Sequence, residues 1–379
     1  MPLQNLRTQL SLKFKAVAHR YRNYFIPADY RAYTKALEYL RDQRKVHRPD
    51  PEKTVCFEFT NPLADRESGR YAFSLIKEFV EGGYDVTITS GFWYLSSIER
   101  KPYKGMLFYE AVSLYEPSPE GKKSRLLISD RKNSKLRSQF QHVFHLNYYS
   151  RIRDEGPLFT FPYRPHPGFT AQPPSTPYPD YADDERPNSV SFFGHWQESF
   201  YNNLRKLGQF NVLTRWRMIS HLQQVLPKES VHVVQGSDVN TPSGGLVLSQ
   251  ADQLPNMDAY SALLRKSNFF IACPGTAFPL SHNLIESMLL GCIPIIERPE
   301  LTDMDLVPGK NCLSFDGLDG LEAVVRKCFG MAPEEIAQLR RGVREIAEDC
   351  LEPGTFARSL DLENLDNHDL SFYWFERTH

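Results

Sequence analysis

Much of what would narrow the function of this chain at once is missing from it. There is no excess of positive charge: 45 Lys and Arg face 46 Asp and Glu, for a formal net charge of -1. A nucleic-acid binder would show a clear basic excess, so nucleic acid is not an expected partner. No apolar run approaches the roughly 20 residues of a membrane-spanning helix. The N-terminus shows no compact apolar segment of the kind a secretory signal carries, and a cytoplasmic chain is the expectation. Cysteine is scarce and unpatterned. Cys56, Cys273, Cys292, Cys312, Cys328 and Cys350 form no CxxC pair and no metal-ligand spacing, which leaves them as reduced thiols of a core. No G-x-G-x-x-G follows an early strand, so a dinucleotide oxidoreductase is disfavoured. No internal repeat is evident either.

What is present fits a two-domain globular protein: 379 residues, 41% hydrophobic and 24% charged. Residues 1–25 carry Arg7, Lys13, Lys15, Arg20 and Arg22 without one acid, and Leu6, Leu10, Phe14 and Val17 recur at helical spacing. Such a basic amphipathic helix can lie on an anionic membrane surface, or pack as a solvated helix on its own domain. Thr54 to Phe59 reads as the first strand. A polar loop containing Asp65, Arg66, Glu67 and Arg70 follows, then an amphipathic helix stopped by Gly82-Gly83, then a strand from Asp85 to Thr89. That is the opening βαβ unit of a doubly wound α/β domain. Gly91-Phe92-Trp93-Tyr94-Leu95 is an aromatic cluster suited either to a sugar face or to the core.

Nine prolines between Pro157 and Pro187 break all periodicity, and they mark a semi-rigid interdomain connection. The expected division is therefore a first domain over 1–160, a linker over 161–187, a second domain over 188–350 and a tail over 351–379. The second domain opens with a strand from Ser189 to Phe193, and the turn behind it places His195 at a strand end. A helix-length segment from Phe210 to Leu226 begins with Arg215 and Arg217. On a helix these two do not share a face, so only one can enter a site, and Arg215 is the candidate.

The densest signal runs from Ser267 to Glu297. Phe269 to Cys273 is an apolar run suited to a strand buried on both faces, and Pro274-Gly275-Thr276 breaks it. Leu284, Ile285, Met288 and Leu289 then fall at helical spacing, Gly291 stops that helix, and Cys292 to Ile296 reads as the next strand. The turn lies at the carboxyl end of a strand, where open α/β sheets bind ligands, and the following helix offers a positive dipole end to an anion.

The order S-x-F-x-x-x-x-P-G, then Ser281, then L-x-E and G-C-I-P-I-I, resembles the nucleotide-sugar site of exostosin-like glycosyltransferases. The resemblance implies a GT-B fold, with two Rossmann-like doubly wound domains facing a central cleft and a C-terminal segment returning to the N-domain. It also implies a metal-independent transferase moving a sugar from a nucleotide sugar, expected to be a UDP-sugar, to a glycan or glycolipid. Ser281 and Glu286 then hold the donor, the acid through ribose hydroxyls, with Gly275, Thr276, His282 and Asn283 around them and Arg215 for the diphosphate. The family commonly has Arg where this chain has Asn283. If the reaction inverts, Asp65, Glu67 or Glu58 is the expected base, and His195 is a further catalytic candidate. No cofactor is expected beyond the donor. Asp303-Met304-Asp305 is a literal D-x-D, the metal motif of the other main glycosyltransferase fold, GT-A; three residues arise by chance, and no metal is expected. The alternatives are a sialyl- or Kdo-type transferase using a CMP-sugar, which His166-Pro167 weakly echoes, and a carbohydrate-binding protein that has lost catalysis.

Overall fold

The protein is described by a computed structural model over residues 27–46, 49–61, 64, 70–96, 111–147, 158–161, 164–170, 185–202, 207–235, 243–250, 254, 256–276, 279–302, 304–362 and 369–372. The basic segment 1–25 and the candidate acids Asp65 and Glu67 lie outside these residues. Two compact units divide the chain: Met1–Pro162 with Pro353–Arg377, and Tyr163–Glu352.

In the first unit, α1 (Pro27–Val46) precedes β1 (Thr54–Glu58), α2 (Arg70–Glu81) and β2 (Asp85–Ile88). The short helix α3 (Phe92–Leu95), β3 (Val112–Leu114), β4 (Ser124–Ser129), β5 (Phe140–Asn147) and β6 (Leu158–Phe161) follow. Every pairing is parallel, and the order is β3-β2-β1-β4-β5-β13-β6, with β13 (Asp369–Phe372) supplied from the end of the chain. All five residues of β1 are buried, as expected for a parallel strand covered on both faces. Over it, Phe57 meets Phe79 of α2 edge-on, with ring centroids 5.6 Å apart. Tyr94 is fully buried, 5.2 Å from Phe59, so this member of the aromatic cluster belongs to the core.

The returning chain is held by an acid. Glu78 of α2 is 4% exposed, and its Oε2 accepts the N–H groups of Gly354 (3.1 Å) and Phe356 (3.3 Å) at the start of a short helix, Thr355–Ser359. These are unpaired donors that a carboxylate at a helix start satisfies.

The second unit carries β7 (Asn188–Phe193), β8 (Val231–Val233), β9 (Leu246–Ser249), β10 (Ser267–Ile271), β11 (Ile293–Ile296) and β12 (Leu313–Ser314). They form a second all-parallel sheet in the order β12-β11-β10-β7-β9-β8. Its principal helices are α4 (Arg215–Val225), α5 (Met257–Arg265), α6 (His282–Leu289), α7 (Gly317–Phe329) and α8 (Pro333–Ile346). Gly291 has φ of 75°, the left-handed stop that releases the chain from α6 into β11. Two parallel-sheet α/β units are thus the architecture.

The proline-rich stretch departs from the expectation of a connection without regular structure. It contains β6, whose backbone groups are satisfied by pairing with β13, and a helical turn at Pro167–Thr170. Both described ends beyond β6 are built into the second unit. Arg164 is 6% exposed and donates to the Cys350 carbonyl, while Arg186 donates to the Ser267 and Leu290 carbonyls, each at 2.9 Å. Residues 171–184 lie outside the described residues. Among those described, no helix is long and apolar enough to cross a membrane.

Candidate functional site

In a doubly wound sheet the crevice that accepts a ligand opens where strand order reverses, outside the carboxyl ends of the two strands flanking that point. In the second sheet these strands are β7 and β10. β7 runs into Gly194-His195, β10 runs into Ala272-Cys273-Pro274-Gly275-Thr276, and α6 begins just beyond.

Arg215 ties these segments together. It is the first residue of α4, whose N-cap Thr214 accepts the Arg217 N–H through its side chain. Arg215 is 5% exposed, whereas Arg217 faces solvent. The Arg215 Nε donates to the Pro274 carbonyl (3.0 Å), Nη1 to the His195 carbonyl (3.1 Å) and Nη2 to the Ser281 hydroxyl oxygen (3.3 Å). Its guanidinium lies 4.3 Å from the Tyr201 ring centroid and 5.5 Å from that of Phe192. A planar fork with five donors can bridge three chain segments in this way; an ammonium cannot.

Ser281 is the N-cap of α6 by position, but its side chain makes no capping bond. Its hydroxyl donates instead to Asn283 Oδ1 (2.8 Å), and Asn283 Nδ2 donates to the Phe193 carbonyl (2.7 Å). Asn283 is thereby fixed against the end of β7. A Cβ on Gly194 would lie 3.2 Å from that amide nitrogen and 3.1 Å from the Phe192 ring, so any larger residue would press on both. Gly275 is half-buried and Thr276 exposed, at the rim of the helix start. His195 and His282 are half-buried.

Glu286 stands differently from the expectation of an open ribose acceptor. It is 1% exposed; Oε1 accepts the backbone N–H of His166 and Oε2 the hydroxyl of Tyr260, each at 2.8 Å. Burial and the neighbouring carboxylate push the Tyr260 hydroxyl well above the usual tyrosine range. The His166 and His282 rings have centroids 5.6 Å apart. Glu297, just after β11, accepts the Leu213 N–H at 2.6 Å and so fixes the approach to α4. Desolvation raises its pKa, while hydrogen bonds from the Leu213 and Gly317 backbones work the other way.

In the first sheet the corresponding strands are β1 and β4. Asp130 accepts the Thr60 N–H (2.9 Å), the Thr60 hydroxyl (2.7 Å) and the Asn61 N–H (2.8 Å). Glu58 is 6% exposed and accepts the Ser129 hydroxyl, with Arg131 Nη1 3.9 Å away. Asp303 of the D-x-D lies outside the described residues, Asp305 is exposed, and no group of three metal-ligating side chains occurs among those described. The six cysteines are free. Burial raises the Cys273 thiol to about 12 and the Cys292 thiol to about 11, so both remain protonated and inert at neutral pH.

The structure thus brings Arg215, Gly275, Thr276, Ser281, His282, Asn283 and the His195 carbonyl to one sheet edge, with Glu286 beneath them in the interior. Tyr260, Glu297 and Asp130 are members of these networks that the sequence reading did not single out. Tyr260 did share the helical spacing of Leu263 and Leu264, which face the core with it.

No family model matches the chain, and no curated protein matches it. Among solved structures, it is similar to TarM (9% identity, TM-score 0.29), over 87% of this chain and 58% of that one. It is also similar to the glycosyltransferase SnogD from Streptomyces nogalater (15% identity, TM-score 0.29), over 89% and 82% of the two chains. A third is the spinosyn rhamnosyltransferase SpnG (11% identity, TM-score 0.28), over 81% and 85%. The chain therefore spans less than two thirds of the TarM chain's length. Likenesses this loose bear no weight on fold or function.

Proposed function

We propose that the protein is a glycosyltransferase of the GT-B fold. It takes a nucleotide sugar, expected to be a UDP-sugar, at the β7/β10 edge of the second unit and passes the sugar to a glycan or glycolipid without a metal ion. The observation that supports this reading is the convergence of Arg215 and the end of β7 on segment 274–283, 59 to 90 residues further along the chain, at the strand-order reversal of a parallel sheet.

Glycosyl transfer builds positive charge on the anomeric carbon and negative charge on the departing phosphate. The start of α6, with no side-chain cap, offers backbone N–H groups to that phosphate, and Thr276 adds an exposed hydroxyl. Arg215 supplies a buried positive charge behind the Ser281 hydroxyl and orients the turns on either side, so the edge is arranged before the charge develops. The acceptor side falls to the first unit, with Asp65 or Glu67 as the base for an inverting reaction. A peripheral membrane contact through residues 1–25 would bring a glycolipid acceptor within reach.

The test is thermal unfolding with UDP, GDP, ADP and CMP, followed by transfer assays over a donor panel with and without EDTA. UDP is expected to raise the midpoint, and a ligand at 100 times its Kd adds about 2.7 kcal/mol. Transfer should survive EDTA. Failure of every nucleotide to stabilise the protein would remove the reading, and stabilisation by CMP alone would move it to a CMP-sugar enzyme.

A further inference from the structure

The part of the second unit that the donor reading leaves unexplained is Glu286. A carboxylate 1% exposed must be compensated within the protein, and here one oxygen takes a buried phenol and the other a backbone amide from a segment 120 residues earlier. The phenol is a dependable donor, because burial and the carboxylate keep Tyr260 protonated. The amide belongs to His166, in the chain that enters the second unit. His166 is itself oriented: its Nδ1 accepts the Gly168 N–H at 3.1 Å, so the neutral ring carries its proton on Nε2 and can donate from there. Its ring lies 5.6 Å from that of His282, the first residue of α6. At 1% exposure a ribose could reach the Glu286 carboxylate only by displacing protein packed on it, and losing the Tyr260 or His166 contact would leave an unmatched polar group in the interior.

We propose that Glu286 is a positioning residue: with Tyr260 it clamps residues 164–170 onto the second unit and sets His166 beside His282 as the ligand-facing group, without itself touching the nucleotide. The inference rests on the reading that this edge takes a nucleoside diphosphate, and it reassigns the acid within that site. Glu286 and Tyr260 act through the His166 turn.

Two measurements decide it. The first uses no nucleotide: hydrogen exchange read by mass spectrometry on peptides covering 164–170. Glu286→Ala should speed exchange there about tenfold or more, the loss expected for a hydrogen bond to a charged acceptor. Tyr260→Phe should speed it less, and Glu286→Gln, which still accepts the His166 N–H, should stay near wild type. Unchanged exchange in Glu286→Ala overturns the clamp; should that variant not fold, unchanged exchange in Tyr260→Phe does so. The second compares binding of UDP and 2′,3′-dideoxy-UDP to wild type, Glu286→Gln and His166→Ala. The clamp predicts that the cost of removing the ribose hydroxyls is the same in wild type and Glu286→Gln, and that His166→Ala weakens both ligands alike. A cost that shrinks in Glu286→Gln means the acid holds the ribose, and this overturns the proposal. If wild type binds neither ligand, the donor reading fails while the exchange measurement still decides the clamp.

Discussion

The two parallel sheets close their strand-order reversals with charges of opposite sign. At the β1/β4 edge of the first unit the chain is tied by acids: Asp130 gathers Thr60 and Asn61, and Glu58 takes the Ser129 hydroxyl. At the β7/β10 edge of the second unit the same task falls to a cation, Arg215, which gathers the His195 and Pro274 carbonyls and the Ser281 hydroxyl. The loops being held differ accordingly. In the first unit the donors are backbone and hydroxyl hydrogens pointing inward, and only acceptors can collect them. In the second, carbonyl oxygens point inward and need a donor, and the start of α6 beside them has no side-chain cap. One architecture thus carries one edge latched by acids and one latched by a cation, and the difference lies in which side chain performs the latching.

The sharpest way to break this comparison is to remove the cation. Arg215→Ala should cost roughly 3–4 kcal/mol in urea unfolding, from three lost hydrogen bonds at about 1 kcal/mol each plus orphaned carbonyls, and should abolish stabilisation by UDP. Arg215→Lys should recover little, since an ammonium lacks the bridging fork. Full recovery by Lys would reduce the site to simple charge.

Asp130→Ala is the matching experiment on the other unit. It should cost about 1–2 kcal/mol, because two backbone amides and a hydroxyl lose their acceptor near the surface, yet leave the UDP-induced shift in place. Loss of that shift would mean that the two edges are not functionally separate. A comparable effect, about 1–2 kcal/mol, is expected for Glu78→Ala, which leaves the buried Gly354 and Phe356 amides without their acceptor; equilibrium unfolding would read it.

The smallest concerns pH. The folded pKa of Glu297 is raised by desolvation, so the native protein binds that proton more tightly than the unfolded chain does. Its contribution to stability is full below the ordinary glutamate range and is lost as pH rises through the raised value. Glu297→Gln, which still accepts the Leu213 N–H, should flatten stability against pH just above the ordinary glutamate value of 4.5. A slope unchanged from wild type in that window would assign the pH dependence elsewhere.

Local patterns carried much of the fold. β10, α6 and β11 lie where apolar runs and helical spacing put them, because a strand buried on both faces and a helix with one buried stripe each leave a periodic record. β9 and β13 were not singled out. β9 is a short apolar run directly behind a glycine-rich loop, with no helix beside it to frame it as β11 is framed, and β13 reads as strand only because β5 and β6 offer it partners from far upstream. The candidate site was legible to a similar degree. The resemblance pointed to Arg215, Ser281, Asn283 and Glu286 but not to what each would touch, since Tyr260 and His166 reach Glu286 only through folding.

By itself, the sequence determined that the chain would form parallel α/β layers with a glycine turn and a helix start at one sheet edge, because these follow from residue types within a few positions of each other. Only the tertiary structure decided that Glu286 would be interior and Arg215 would bridge three turns. Burial and hydrogen-bond partners depend on segments up to 120 residues apart meeting in space, and no local pattern encodes that meeting.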